Sequence, residues 1–191
     1  MADNTLANPA ALGLSGFGVT TVLLSAVNAG LLSAGAEPVV IPLALAFGGT
    51  AQMIAGIMEF RLGNTFGTTA FLAYGAFWWW FALLLLFGGN HLLDLKDAGP
   101  GIGLALILWG VFTFALWIST FALSTLLVLI FLTLWIAFFL LGVGALQGNA
   151  MLHLWGGYVG LACGGLAIYG CFAVVTNATY GRTVIPTGAR R

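Results

Sequence analysis

Charged side chains in this chain are confined to a few short breaks between long apolar stretches. No Asp, Glu, Lys or Arg occurs between Asn4 and Glu37, or between Asp97 and Arg182. A membrane-spanning helix needs about 20 mostly apolar residues, so the second stretch alone is long enough for three spans. Soluble domains carry about 25% charged residues, whereas this chain carries 5%. The sequence therefore predicts an all-α integral membrane protein.

Turn and charge signals divide the 191 residues into six apolar segments. The breaks are the Gly-Ala-Glu-Pro turn at 35–38, Gly63 and Asn64, the charged loop 88–100, the polar stretch 119–125, and Gln-Gly-Asn at 147–149. They predict a single transmembrane domain, residues 1–191, in which six helices form a pore-containing bundle. The predicted helices are 9–32, 39–59, 65–87, 102–118, 126–146 and 152–175.

The few basic residues indicate an orientation. Arg61 follows the second predicted helix, and Arg182, Arg190 and Arg191 follow the last one, whereas only Lys96 lies at the opposite end. Basic residues favour the cytoplasmic side of a membrane. We therefore expect a multi-pass protein of the cell membrane with short cytoplasmic tails. The N-terminal segment lacks the features of a cleaved signal peptide, so the first helix is expected to be retained.

Several classes of function are disfavoured by what the apolar segments lack. The chain contains two histidines, His91 and His153, and two cysteines, Cys163 and Cys171. Their spacing matches no motif in which two metal ligands lie a few residues apart. We therefore interpret all four as structural and expect no metal and no cofactor. Acidic and basic residues are equal in number, so no nucleic-acid surface is expected. The predicted spans contain no Asp and no well-placed His, so the protein is not expected to be an enzyme.

The first apolar segment carries one face suited to a narrow pore. Asn8 is a good helix cap and Pro9 suits a first helical position. Beyond them, five residues share one helical face. The first two, Leu14 and Phe17, are apolar, and the next three, Thr21, Ser25 and Asn28, are neutral and polar. As an alternative, Thr21 and Ser25 bond back to their own helix and Phe17 packs against a neighbour.

Other neutral polar residues fall at membrane depth in the second and third segments. Gln52 is a lone amide in FGGTAQMIAG, and Thr69 and Tyr74 follow in the next helix. Such groups suit a small polar solute, although an interhelical amide often serves only to join two helices. Glu59 shares a helical face with Gln52. It is a candidate for proton coupling, or alternatively forms an ion pair with Arg61 at the edge of a loop.

Three glycines at four-residue spacing lie in the last segment, at positions 156, 160 and 164. A stripe of this kind lets another helix backbone approach closely. The sequence leaves open whether that helix belongs to the same chain or to a neighbouring subunit.

Several longer motifs occur in order along the whole chain. They are NPAALGLSGFGVTT at 8–21, GGTAQMIAGIMEFRLGNTFGTTAFLAYGAFW at 48–78, WGVFT at 109–113 and GRTVIPTG at 181–188. The chain thereby resembles the acetate uptake transporter family, the succinate-acetate permeases. Ala11 stands where the family signature has a second proline. The resemblance implies six helices, a homohexamer with one pore per protomer, and uptake of acetate and other short carboxylates, including succinate.

The resemblance also implies a hydrophobic constriction of Phe, Tyr and Leu. Matching of the flanking motifs assigns these to Phe17, Tyr74 and Leu134, with Phe131 or Leu132 as alternatives for the third. Acetate, membrane lipids and further copies of the chain are thus the expected partners. The family leaves open whether transport is channel-like or coupled to protons. The alternative functions are a urea or short-amide channel and a structural membrane subunit that transports nothing.

Overall fold

The computed structural model describes residues 6–190 and consists of six long helices. They are α1 Ala10–Asn28, α2 Ala34–Arg61, α3 Thr65–Gly89, α4 Gly99–Thr120, α5 Thr125–Gln147 and α6 Ala150–Tyr180. Each is long and apolar enough to cross a bilayer. The prediction of an all-α membrane protein with six spans is confirmed.

Capping residues fix the start of three helices. Asn64 Oδ1 accepts a hydrogen bond from Gly67 N at 3.0 Å, and Ser124 Oγ accepts one from Leu127 N at 3.2 Å. Asn149 caps α6 in the same way, after Gly148 has ended α5 with a φ of 60°. These side chains satisfy backbone donors that have no partner within the helix, so the helices begin there.

Four helix boundaries differ from the sequence prediction by three residues or more. α1 ends at Asn28, before residue 32, because Ala29 and Gly30 bond back to close the helix. α2 begins at Ala34 with a 3₁₀ turn that accommodates Pro38, and α4 begins at Gly99 with a proline in its first turn. α6 continues past residue 175 until Gly181, whose φ of 62° ends it.

The middle of α2 is wider than a regular α-helix. Residues Ala44–Ala51 form a π-helical segment between α-helical turns. Its backbone lies against α1, since a Cβ added to Gly16 would lie 2.6 Å from the carbonyl oxygen of Phe47. On the other side, a Cβ on Gly49 would lie 2.4 Å from Cδ1 of Trp79 in α3. The π-segment is therefore held between two neighbouring helices, and it places Gln52 directly after itself.

The helices pack as a ring in the order α3, α2, α1, α6, α5, α4. Adjacent helices pack closely except α4 and α3, whose backbones have few close approaches. Aromatic side chains fill that seam, with Phe77 against Trp109 and Tyr74 against Phe112 at ring-centroid distances of 5.3 and 6.0 Å. The contact between α3 and α4 therefore depends mainly on aromatic side chains.

The glycine stripe of α6 packs within the same chain. A Cβ on Gly160 would lie 2.2 Å from Ser25 Oγ, and one on Gly164 would lie 2.9 Å from the carbonyl oxygen of Gly18. Gly156 faces Leu141 of α5 in the same manner. The partners left open by the sequence are therefore α1 and α5, and small residues allow these backbones to touch α6.

Candidate functional site

Two cavities lie end to end inside the helix ring. Cavity 1 has a volume of about 190 Å³ and opens at the end of the bundle where α1, α3 and α5 begin. Cavity 2, of about 50 Å³, continues toward the opposite end. Phe17 and Leu134 line both cavities. The two spaces therefore meet at these side chains, and cavity 1 is roomy enough for several water molecules or a small organic solute.

An aromatic contact closes the junction between the cavities. The rings of Phe17 and Tyr74 lie 5.9 Å apart between centroids, and Tyr74 is 3% exposed. The Tyr74 hydroxyl donates to Thr113 Oγ1 of α4 at 2.9 Å, and Thr113 donates in turn to the Trp109 carbonyl at 2.7 Å. Because the hydroxyl is anchored at its far end, the ring has a fixed position at the junction.

The three candidates for the third constriction residue occupy different positions. Leu134 lines both cavities and is buried. Phe131 lines only cavity 1, where its ring lies 6.0 Å from that of Tyr74. Leu132 lines neither cavity. This placement favours Leu134 as the residue that narrows the junction together with Phe17 and Tyr74.

The wall of cavity 1 contains two buried polar side chains of α2. Gln52 is 1% exposed, and its Oε1 has no hydrogen-bond partner among the described residues. Glu59 is 3% exposed and accepts a hydrogen bond from Asn64 Nδ2 at 2.7 Å. The partner of Glu59 is thus Asn64, and the alternative of an ion pair with Arg61 is wrong. Gln52 does not simply join two helices either, because its oxygen is unpaired.

Cavity 2 is lined by the polar half of the α1 face. Thr21, Ser25 and Asn28 all contribute to its wall, while Leu14 lies further back in cavity 1. Thr21 also donates to the Phe17 carbonyl at 2.7 Å, as in the alternative interpretation of that residue. At the far end, Asn28 Oδ1 lies 3.1 Å from Nε2 of His153. The predicted face therefore does turn inward, with one hydroxyl already bonded to its own helix.

Three predicted lining residues do not line either cavity. Asn8 accepts a hydrogen bond from Ala10 N at 2.9 Å, but it is Ala10 that reaches cavity 1. Pro9 precedes the first helical residue instead of occupying it. Thr69 is exposed on the outside of the bundle, because it lies five residues from Tyr74 and hence on another side of α3. Thr69 is therefore removed from the predicted lining, whereas Asn8 and Pro9 directly precede Ala10 at the mouth of cavity 1, and their place at the pore entrance stays a prediction.

The mouth of cavity 1 is formed by residues that the sequence analysis did not select as functional. The first turns of α1, α3 and α5 contribute Ala10, Gly67 and Leu127, and the C-terminal segment contributes Thr187. Helix N-termini carry a partial positive charge, which favours anions nearby. No lysine or arginine lines either cavity in the part of the chain from residue 6 to 190. The capping residues Asn64 and Ser124 mark the starts of α3 and α5, so they are the sequence features that locate two of these helix N-termini.

Comparison with known proteins gives a consistent result. The model of the GPR1/FUN34/yaaH family matches residues 1–188. This chain belongs to that family. Among relatives of the GPR1/FUN34/yaaH family, the succinate-acetate/proton symporter SatP of Escherichia coli strain K12 is 41% identical over 188 residues, with 98% of both chains covered. Acetate permease A of Emericella nidulans is 37% identical over 94% of this chain and 65% of its own length.

A solved structure of this family has the same fold. The bacterial acetate channel SatP superposes with a TM-score of 0.92 at 41% identity, covering 96% of this chain and 100% of that one. SatP and acetate permease A are named for transport, so the family contains channels and transporters. The names disagree on mechanism, since SatP is called a proton symporter in one case and a channel in the other.

Proposed function

We propose that this protein carries acetate and related short carboxylates, including succinate, across a membrane. The proposed path leads through cavity 1, past Phe17, Tyr74 and Leu134, and into cavity 2. The observation that carries this proposal is that two cavities meet at an apolar junction inside a six-helix ring. The similarity to SatP and to acetate permease A supports carboxylates as the solute.

The electrostatics of the path suit a small anion. Three helix N-termini surround the mouth of cavity 1 and supply positive potential without any basic side chain in the lining. Gln52 Oε1, which has no partner among the described residues, can accept a hydrogen bond from the hydroxyl of the protonated acid inside the cavity. At the junction the solute loses its water, so the neutral acid crosses this point at lower cost than the anion.

Flux into liposomes tests this function directly. We expect purified protein to admit labelled acetate, and succinate to compete with it. Entry of urea without acetate entry would instead support the urea or short-amide channel. Vesicles that stay tight to both solutes would indicate a structural subunit and overturn the proposal. Vesicles without protein, measured under the same conditions, give the passive entry of acetic acid through the lipid, which is subtracted from the measured uptake.

We further propose a homohexamer in the cell membrane with both termini in the cytoplasm. The outer face of α4 supports assembly or lipid contact, because Leu104, Leu108, Val111 and Ile118 are each more than half exposed. Native mass spectrometry should give six times the chain mass of 19.9 kDa.

Reporter fusions at each terminus test the orientation, and a periplasmic or extracellular signal would contradict it.

A first prediction concerns proton linkage. We expect acetate uptake to rise as the external pH falls, with nearly the same pH dependence in wild type and in Glu59→Gln. The physical reason is that acetic acid titrates near the reference carboxyl pKa of about 4, so the substrate itself carries the proton. Initial uptake between about pH 5 and 7.5 measures this. Loss of the acid-stimulated component in an intact Glu59→Gln protein would show that the protein carboxylate carries the proton.

A second prediction concerns the start of α1. Asn8→Ala removes the hydrogen bond from Ala10 N and should lower acetate flux more than it lowers protein yield. Losing a capping bond costs about 1 kcal/mol, which is too little to unfold six packed helices but enough to loosen the turn that carries Ala10. Flux per unit of purified protein is the measurement. Normal flux in a well-expressed variant would contradict the prediction.

A further inference from the structure

The last nine described residues return along the end of the bundle as an ordered segment, here named the C-terminal strap, residues 182–190. α6 has 31 residues and the neighbouring antiparallel α5 has 23, so α6 extends beyond the first residue of α5. After Gly181 the chain turns back and reaches Thr125 at the start of α5. The strap thus crosses the end of the bundle at which cavity 1 opens.

One side chain of α6 holds the first half of the strap. Asn177 Oδ1 accepts hydrogen bonds from Val184 N and Ile185 N at 2.7 and 2.9 Å, and its Nδ2 donates to the Ile185 carbonyl at 2.8 Å. A second residue of α6, Tyr169, donates its hydroxyl to the Pro186 carbonyl at 2.7 Å. Asn177 therefore uses both ends of its amide on the strap backbone.

The second half of the strap is bonded to the start of α5. Thr125 N donates to the Gly188 carbonyl at 2.9 Å, and Leu126 N donates to the Thr187 carbonyl at 3.0 Å. Gly188 has a φ of 62°, and an added Cβ would lie 2.6 Å from Thr125 Oγ1, so a glycine is required at this contact. The strap carbonyls thereby satisfy donors in the first turn of α5 that its own helix cannot pair.

The end of the strap is fixed to the loop before α5. Arg190 N donates to the Leu123 carbonyl at 2.9 Å, and its guanidinium bonds the Phe121 carbonyl and lies over the Phe121 ring. Between these anchors, Thr187 forms part of the wall of cavity 1. The strap is therefore part of the boundary of the cavity, in addition to covering a helix end.

We propose that the C-terminal strap is a size filter at the mouth of cavity 1, and that Asn177 is its positioning residue. The inference builds on the proposed function, because the filter acts on solutes that approach Phe17, Tyr74 and Leu134 from the side of cavity 1, which is the cytoplasmic side in the proposed orientation. With the strap in place, bulky anions do not enter cavity 1. With the strap displaced, they enter and stop at the constriction, where they block the path of smaller carboxylates.

The chain contains its own reporter of strap release, which is the trypsin site after Arg182. We expect Asn177→Ala to lose residues 183–191 to trypsin about tenfold faster than wild type, because three hydrogen bonds no longer hold the segment and proteolysis follows the released population. Asn177→Asp keeps the acceptor for two of the bonds and should be cut at an intermediate rate. Thr179→Ala is the matched control, since the Thr179 hydroxyl bonds only to its own helix. Mass spectrometry of the intact protein, repeated over time, gives the rate at which each variant loses residues 183–191.

Access to the cavity is measured with a cysteine at Ala70. This residue lines cavity 1 one turn before Tyr74, between the mouth and the constriction. In detergent, a bulky charged thiol reagent should label Ala70→Cys about tenfold faster when Asn177→Ala is added, or when residues 183–191 are deleted, in line with strap release. A small thiol reagent should change less than about twofold. The same proteins without the cysteine at 70 give the background from Cys163 and Cys171.

The outcomes separate the strap from the proposed function. Equal trypsin rates in Asn177→Ala and wild type overturn the role of Asn177. Faster release without faster bulky labelling, in the point variant and in the truncation, overturns the filter. In liposomes with citrate on both sides of the membrane, citrate should inhibit acetate entry more strongly in Asn177→Ala than in Thr179→Ala, and equal inhibition also counts against the filter. If wild-type vesicles admit no acetate, the proposed function fails, whereas the trypsin and labelling assays, which need no transport, still decide the strap.

Discussion

In protein whose strap is released by Asn177→Ala, replacement of Tyr74 by alanine should join the two cavities and raise the uptake of bulky carboxylates such as gluconate by on the order of tenfold or more, which corresponds to a barrier lower by about 1.4 kcal/mol. The centroid of the Tyr74 ring lies 5.9 Å from that of Phe17 and 6.0 Å from that of Phe131. Its loss leaves an open space where the two cavities meet. Acetate flux should rise less, since acetate already passes the junction.

Tyr74→Phe is the matched control for that experiment. It keeps the ring and removes only the hydroxyl, while Thr113 retains its bond to the Trp109 carbonyl. We expect normal selectivity and a stability loss of about 1 kcal/mol for the missing hydrogen bond. The gluconate-to-acetate uptake ratio in liposomes compares Tyr74→Ala and Tyr74→Phe with their parent, all three carrying Asn177→Ala. An unchanged ratio in a well-assembled Tyr74→Ala protein would show that the junction does not select solutes.

Gly164→Leu should abolish folded protein, whereas Gly165→Leu, one residue further along, should leave the protomer folded. A Cβ on Gly164 would lie 2.9 Å from the Gly18 carbonyl and 3.0 Å from Val22 N, and backbone atoms cannot move aside as flexible side chains do. Overpacking of a well-packed contact typically costs about 1–3 kcal/mol, and here it separates two helices that both border the cavities. A Cβ on Gly165 would meet no atom of the chain within 4 Å.

Yield of monodisperse protein and thermal unfolding in detergent distinguish the two glycine variants. If both variants fold equally well, the close contact between α1 and α6 is not needed for stability. If Gly165→Leu folds but loses its assembled form, the open side of Gly165 faces another copy of the chain. That second result would add to the evidence for an oligomer without altering the argument for Gly164.

The sequence was sufficient for the number and type of helices because charge and capping signals are local. Asn64 and Asn149 mark helix starts at the predicted breaks, and the helices that begin there contain no Asp, Glu, Lys or Arg. The α1 face was also predictable, since helical periodicity brings Phe17, Thr21 and Asn28 to one side. The prediction that Thr69 lines the path was wrong, because a single threonine in an apolar helix does not show which side of the helix faces inward.

The role of the strap was not predictable from the sequence, because its contacts join distant parts of the chain. Arg190 and Phe121 are 69 positions apart, and nothing in GRTVIPTGAR distinguishes a docked segment from an ordinary polar tail. The same holds for the Tyr74–Thr113 bond, which spans 39 positions. The π-helical turn of α2 likewise depends on packing against α1 and α3, so local propensity does not reveal it.

The hydrogen bond from Tyr74 to Thr113 links the proposed constriction to a helix that lines neither cavity. α4 meets α3 mainly through side chains, and its outer face is the one most open to the surroundings of the protomer. A sideways displacement of α4 is therefore transmitted to the tyrosine ring before any helix unfolds. Detergent extraction replaces whatever lies against α4, so solubilised protein should differ from bilayer-embedded protein first in the mobility of this ring, which NMR relaxation of the labelled tyrosine would detect.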